Sequence, residues 1–183
     1  MERIADLLLK ENFDEARKIA TKDYPFELKT LSKRQYSKNQ MLDIFFKDGF
    51  IDRYSGERLY HPGFLRLMNH LMPNEFPFDP HGKANRCHDI YWDLLPSIDH
   101  LFSIYRGGKD EMENYITTSM KRNLAKNNWT IEAIGWKLYP AGDINNWDGQ
   151  SKKFLLLVEK YRVNQPYINA WYRVTKNKIK VEV

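Results

Sequence analysis

Between Ser97 and Trp129 the chain alternates short β-prone runs with a glycine pair, and this segment limits the possible folds more than any other. Ser97 to Ser103 reads as a strand and Tyr115 to Thr118 as a second. Arg106-Gly107-Gly108 and the acidic Asp110-Glu111 make the connecting loop. Thr118 or Ser119 can cap a helix that carries Asn123 and Lys126. The predicted order is strand, loop, strand, helix.

The flanks are mostly helical. Ile4, Leu7 and Leu8 share a helical face, and Phe13, Ala16 and Ala20 continue at similar spacing until Tyr24-Pro25. Ser37 with Gln40 forms a capping-box pattern before Met41, Ile44 and Phe45, and Gly49 suits that helix's end. Phe50 to Tyr60 reads as a hairpin turning at Ser55-Gly56, and Pro62 opens a short helix through Leu65, Met68 and Leu71. Pro73 to Pro80 reads as an ordered loop. Thr130 is expected to begin a short helix, Phe154 to Tyr161 to lie in another, and Pro166 to start the last. The expected fold class is α+β: one mostly helical domain, with residues 1–48 as a helical N-terminal extension, 49–140 as the core, and 141–183 as a helical basic segment.

A chain of 183 residues, 42% hydrophobic and 14% aromatic, can bury a substantial core. Cys87 is the only cysteine, so neither an internal disulfide nor a Cys-x-x-Cys zinc brace can form, and apolar packing must hold the fold. No apolar run approaches the ~18 residues of a membrane helix. The opening Met1-Glu2-Arg3-Ile4-Ala5-Asp6 is acidic where a signal peptide is basic, so no membrane association and a cytoplasmic location are expected. Asn128-Trp129-Thr130 matches a glycosylation acceptor, a match expected by chance outside a secretory route. Charge is unevenly spread. Residues 115–183 hold twelve Lys/Arg against five Asp/Glu, and residues 51–114 hold seven against ten. An acidic middle that can attract a cation precedes a basic third that can attract phosphate.

The chemistry resides in Asp99-His100, in Asn114 fourteen residues after His100, and in Asn123 nine residues later. Phosphodiester cleavage needs an activated water and a Lewis acid on the phosphate. A neutral imidazole can take the water's proton. Adjacent strand residues face opposite ways, so a pair serving one site predicts a distorted strand end. The helix would bring the Asn123 amide oxygen beside the Asp99 carboxylate. Hard oxygen donors without sulfur suit Mg²⁺, with Mn²⁺ able to substitute.

These residues resemble the motif of HNH endonucleases, whose ββα-metal fold has this element order. The match spans about thirty residues. The flanks Phe50-Ile51-Asp52-Arg53-Tyr54-Ser55-Gly56-Glu57 and Trp129-Thr130-Ile131-Glu132-Ala133-Ile134-Gly135-Trp136 look like a zinc-free bacterial branch of that family. The resemblance implies a metal ligand at Asp99, a general base at His100, a brace for the base's backbone at Asn114, and a second metal ligand at Asn123. It matches the family's Arg/Lys-Gly-Gly loop to Arg106-Gly107-Gly108 and its Asn-x-x-Lys ending to Asn123-Leu124-Ala125-Lys126. Leu101-Phe102-Ser103 departs from the usual Ile-x-Pro, and Asn114-Tyr115 from Asn-Leu. Neither departure removes a reactive group.

Taken singly, each residue has a structural reading: a chance Asp-His pair, a turn asparagine, a solvated helix position. The joint spacing favours the site. Arg106, Lys121, Arg122 and Lys126 are candidate phosphate contacts, with a solvated face as the alternative for Arg122 and Lys126. His81, Cys87 and His88 lack a fourth ligand at zinc spacing, and Cys87 is expected to be buried. Trp136, Trp147 and Trp171 are expected in the core, with stacking on bases as the alternative. The expected function is Mg²⁺-dependent hydrolysis of DNA to 5′-phosphate products. The alternatives are a restriction-type homodimer, with recognition or dimer contacts from residues 1–48 and 141–183, and a non-catalytic DNA-binding module on the same fold.

Overall fold

The computed structural model describes residues 1–26 and 35–179. Residues 27–34 of the expected extension and 180–183 of the basic segment lie outside the described residues. The chain divides into two compact units, at Lys33/Arg34.

The first unit pairs α1 (Glu2–Leu9) with α2 (Phe13–Asp23). Asn12 caps α2 by accepting from the Glu15 amide at 3.3 Å. Ala16 is its one buried apolar residue among those described, and Leu9 and Phe26 stand exposed.

In the second unit, α3 (Lys38–Lys47) begins with the full capping box: Ser37 Oγ accepts from the Gln40 amide, and Gln40 Oε1 accepts from the Ser37 amide. Two orphan helix-end donors are thereby satisfied by sequence-local groups. Leu42, Ile44 and Phe45 on its inner face are buried. Phe50 to Leu59 then turns back through a single bridge, Ile51 to Arg58. Helix α4 (Pro62–Leu71) starts on its proline. After a four-residue helix, α5 (Ile90–Asp93), come β1 (Pro96–His100), β2 (Tyr115–Ser119) and α6 (Met120–Lys126). Helices α7 (Ser151–Lys160) and α8 (Pro166–Lys178) complete the unit. The architecture is α+β, with one two-stranded antiparallel sheet among the described residues. Because α3 packs on both strands and on α8, it belongs with the core, which places it outside the N-terminal unit despite its position before residue 48.

The main core joins α3, α4, α7 and α8 through Leu42, Phe45, Leu67, Phe154, Ile168 and Trp171. His61 lies at its centre, fully buried, stacked on Phe154 at 4.7 Å and edge-on to Trp171 at 5.3 Å. Its Nδ1 accepts from the Gly63 amide at 3.0 Å. Thr175 donates its hydroxyl to the Trp171 carbonyl at 2.8 Å, so its oxygen accepts from His61 Nε2–H at 2.9 Å. The ring is therefore neutral, and burial holds its pKa down at about 3. A smaller cluster contains Cys87 with Leu65 and Tyr91. Trp171 is in the main core, while Trp147 and Trp136 are half-buried.

Two boundaries differ from the sequence reading. Strand β1 stops at His100 instead of Ser103, because Asn114 captures the chain just beyond it. Thr130 opens a turn, not a helix: its hydroxyl takes the Ala133 amide, and Gly135 adopts a left-handed φ of 68°. No helix among the described residues is long and apolar enough to cross a membrane.

Candidate active site

Strands β1 and β2 pair in the register Ile98 to Thr117, Asp99 to Ile116, and His100 to Tyr115. Ser119, ending β2, caps α6 by accepting from the Arg122 amide at 3.3 Å. That short turn folds α6 back across the hairpin. Asn123 on α6 then donates its amide nitrogen to Ser97 Oγ at 2.7 Å and to the Ile98 carbonyl at 3.0 Å. A carbonyl can only accept, so the nitrogen faces the strand and Oδ1 faces away from it. Asp99, His100 and Asn123 line one cleft of about 380 Å³, together with Ser103, Ile104 and Asn128. His100 is the last residue of β1, so the strand ends where adjacent residues would otherwise diverge.

Asp99 is nearly buried, and its Oδ2 has two partners. Tyr54 donates its hydroxyl at 2.6 Å, and the Lys126 ammonium lies at 2.9 Å. Burial first, and then the Asp99 charge, raise the Tyr54 pKa, so the phenol remains a donor. Among the described residues, no hydrogen bond reaches Asp99 Oδ1 or Asn123 Oδ1. These two oxygens are suitable donors for a hard cation. The absence of a cluster of three His, Cys, Asp or Glu among the described residues does not bear on a site made of one carboxylate and one amide.

The loop after His100 is shaped by Asn114. The Leu101 amide donates to the Asn114 carbonyl, and the Phe102 amide to Asn114 Oδ1. Asn114 Nδ2 donates to the carbonyls of Phe102 and Lys109, both at 2.8 Å. Asn114 therefore braces the chain beside His100 and lies outside the cleft lining. Gly108 passes so close that a Cβ there would sit 2.0 Å from the Phe102 carbonyl oxygen, and Gly107 takes a left-handed φ of 92°. The glycine pair is thus required by this path.

The four cations read as phosphate contacts occupy different settings. Arg106 is exposed, its Nε donating to the Asn128 carbonyl at 2.6 Å beside the cleft. Lys121 is exposed and pairs with Asp93 at 2.9 Å. Arg122 is half-buried between Asp52 at 3.4 Å and Glu57 at 2.8 Å. Lys126 is fully buried. Besides pairing with Asp99, it donates to the His100 carbonyl at 2.9 Å. With no surface in contact with solvent, it serves as an internal counter-charge, a correction to its readings as a phosphate contact and as a solvated helix position. His81, Cys87 and His88 do not form a metal group among the described residues.

Two contributors were not visible in the sequence. Tyr54 reaches Asp99 across 45 residues. Asp110 Oδ1 lies 2.7 Å from His100 Nε2 and accepts from Tyr115 at 2.9 Å and from Tyr36 at 3.3 Å. These bonds, the one from His100 foremost, hold the Asp110 pKa below the usual carboxylate value.

The chain matches no family model, no curated protein and no solved structure.

What the arrangement can do chemically follows from the cleft. It brings together an imidazole, a carboxylate oxygen and an amide oxygen without hydrogen bonds among the described residues, and a buried positive charge behind the carboxylate.

Proposed function

We propose that this protein is an endonuclease of the HNH type that hydrolyses DNA phosphodiester bonds with a divalent cation, Mg²⁺ or Mn²⁺. The observation that carries this reading is the convergence of Asp99, His100 and Asn123 on one cleft by a strand, loop, strand and helix. A binding module would need none of these three groups. In this reading the two strands and α6 are the ββα core.

Asp99 Oδ1 and Asn123 Oδ1 would hold the cation. When bound, it supplies Lewis acidity to the scissile phosphate. His100 takes a proton from water, and the resulting hydroxide oxygen bonds to phosphorus. The P–O3′ bond breaks, and the 3′-oxygen gains a proton from solvent. The products are a 3′-hydroxyl and a 5′-phosphate. Lys126 and Tyr54 orient Asp99, and Asn114 holds the backbone that carries the base. Arg106, bonded to the Asn128 carbonyl at the cleft, and the exposed Lys121 present charge to the DNA backbone. A cytoplasmic setting belongs to the same reading.

The deciding experiment is plasmid nicking with Mg²⁺, with chelator, and by His100→Ala. Nicking is expected with Mg²⁺ alone. Its rate should drop ~10²–10⁴-fold in the variant, as for loss of a general base. Chelator-resistant cutting, or a wild-type rate in His100→Ala, would refute the reading.

A further inference from the structure

We propose that Asp110 is a positioning residue for His100, fixing the imidazole as its Nε2–H tautomer so that Nδ1 is the atom that takes the water's proton. The second half of this statement rests on the nuclease reading; the tautomer does not.

The argument begins with donors and acceptors. One carboxylate oxygen, Asp110 Oδ1, receives the Tyr115 and Tyr36 hydroxyls and lies 2.7 Å from His100 Nε2. An oxygen already receiving two donors has no proton to give, so the third contact requires hydrogen on the imidazole side. In a neutral ring, hydrogen on Nε2 leaves the lone pair on Nδ1. The hydroxyls are set by the fold. Tyr115 faces His100 across the ladder, its ring edge-on to the imidazole at 5.1 Å. Tyr36, just before α3, packs edge-on against Tyr115 at 5.4 Å. Asp110 itself is held near His100 because the loop is closed by Asn114 and by the tight passage of Gly108. The His100 side chain is only 6% exposed, so water competes poorly for the Nε2 hydrogen.

Preorganising one tautomer removes a rearrangement from the reaction path, and its loss leaves a fraction of rings with a hydrogen where the lone pair is needed. After Nδ1 gains a proton, the imidazolium remains hydrogen-bonded to Asp110, whose charge offsets the new one. A merely structural role, tying the loop to β1, would also use this bond, so the test must read the ring.

The full chain, labelled with nitrogen-15 and kept at pH 8 without metal, would be studied by long-range proton–nitrogen correlation of the histidine rings. His100 would be assigned by its loss in His100→Gln. The wild type should show Nε2–H with an unprotonated Nδ1. Asp110→Ala should show a mixture of tautomers, and Asp110→Asn, whose amide oxygen still accepts, should keep the wild-type form. Nδ1–H in the wild type, or unchanged spectra in Asp110→Ala, overturns the assignment. Single-turnover nicking should slow roughly 10²-fold in Asp110→Ala with the KM for DNA unchanged, and Asp110→Asn should lie between. Equal rates in all three overturn the catalytic half. If the wild type does not nick at all, the nuclease reading and the role of Nδ1 fall together, while the spectra still decide whether Asp110 sets the tautomer.

Discussion

Lys126 changes how the site's charge is understood. A buried ammonium is costly unless paired, and here it is paired with Asp99 and hydrogen-bonded to His100. Removing it strands the carboxylate. Lys126→Met should destabilise the fold by about 3–5 kcal/mol, the usual cost of breaking a buried pair. Added Mg²⁺ should raise the variant's melting temperature more than the wild type's, because a cation on Asp99 replaces part of the missing charge. Thermal melts with and without Mg²⁺ would measure both effects, and an equal Mg²⁺ response would argue against cation binding at Asp99. Nothing in the sequence distinguishes this lysine from a solvated one on a helix. Its burial is set by α6 crossing the hairpin. Asp110 is equally unmarked, since Glu111 and Glu113 share its loop, and only the folded loop selects one of the three. The grouping of Asp99, His100 and Asn123 on one cleft, with Asn114 on the loop beside it, was easier to anticipate, because their spacing follows a compact strand-loop-strand-helix order.

At the level of elements, the outer edge of β2 is covered by side chains. Asp48 Oδ2 accepts from the Thr117 amide at 2.6 Å, and Asp52 Oδ2 from the Ser119 amide at 2.9 Å. The Arg53 amide donates to the Thr117 carbonyl at 2.9 Å. Asp52 Oδ1 also accepts from the Tyr54 amide and the Thr118 hydroxyl. Two fully buried carboxylates thus replace a third strand, which satisfies the backbone and blocks edge pairing. Asp52→Ala should lower stability by about 3 kcal/mol, since each stranded buried donor costs about 1–3 kcal/mol. Glu57→Ala, removing the exposed partner of Arg122, should cost under about 1 kcal/mol. Urea unfolding of both variants checks the contrast; similar losses would mean that the edge is satisfied some other way. Local signals predicted the cap at Ser37 and the proline start of α4, and narrowed the cap of α6 to Thr118 or Ser119, because each involves neighbours in sequence. The edge cover was hidden, because Asp48 and Asp52 act on residues more than sixty positions away.

Across the whole molecule, the neutral His61 ties stability to pH. The unfolded chain binds a proton near the ordinary value of 6.5, whereas the folded ring resists protonation until about 3. Between those values unfolding takes up a proton, so stability is complete above pH 6.5 and falls with acid. The slope approaches about 1.4 kcal/mol per pH unit. Urea midpoints from pH 7.5 to 5, above most carboxylate titration, should show this decline, and a flat series would contradict the buried neutral ring. Charge distribution gives a second whole-molecule prediction. The exposed Arg106 and Lys121 should each contribute a slope of about 0.9 in the salt dependence of DNA binding. Changing both to glutamine should flatten the slope measured by fluorescence anisotropy in Ca²⁺, and an unchanged slope would place the DNA path elsewhere.

The excursion from residue 101 to 114 has an entropic meaning. A two-stranded sheet is marginal alone, and joining its strands across a long flexible link costs entropy. Here the link is fastened at its base by Asn114 before it reaches β2. Much of that freedom is surrendered locally, so the strands meet as though joined by a short turn. One wall of the cleft is then a property of the hairpin itself, and α6 needs only to lay Asn123 and Leu124 against a wall already set.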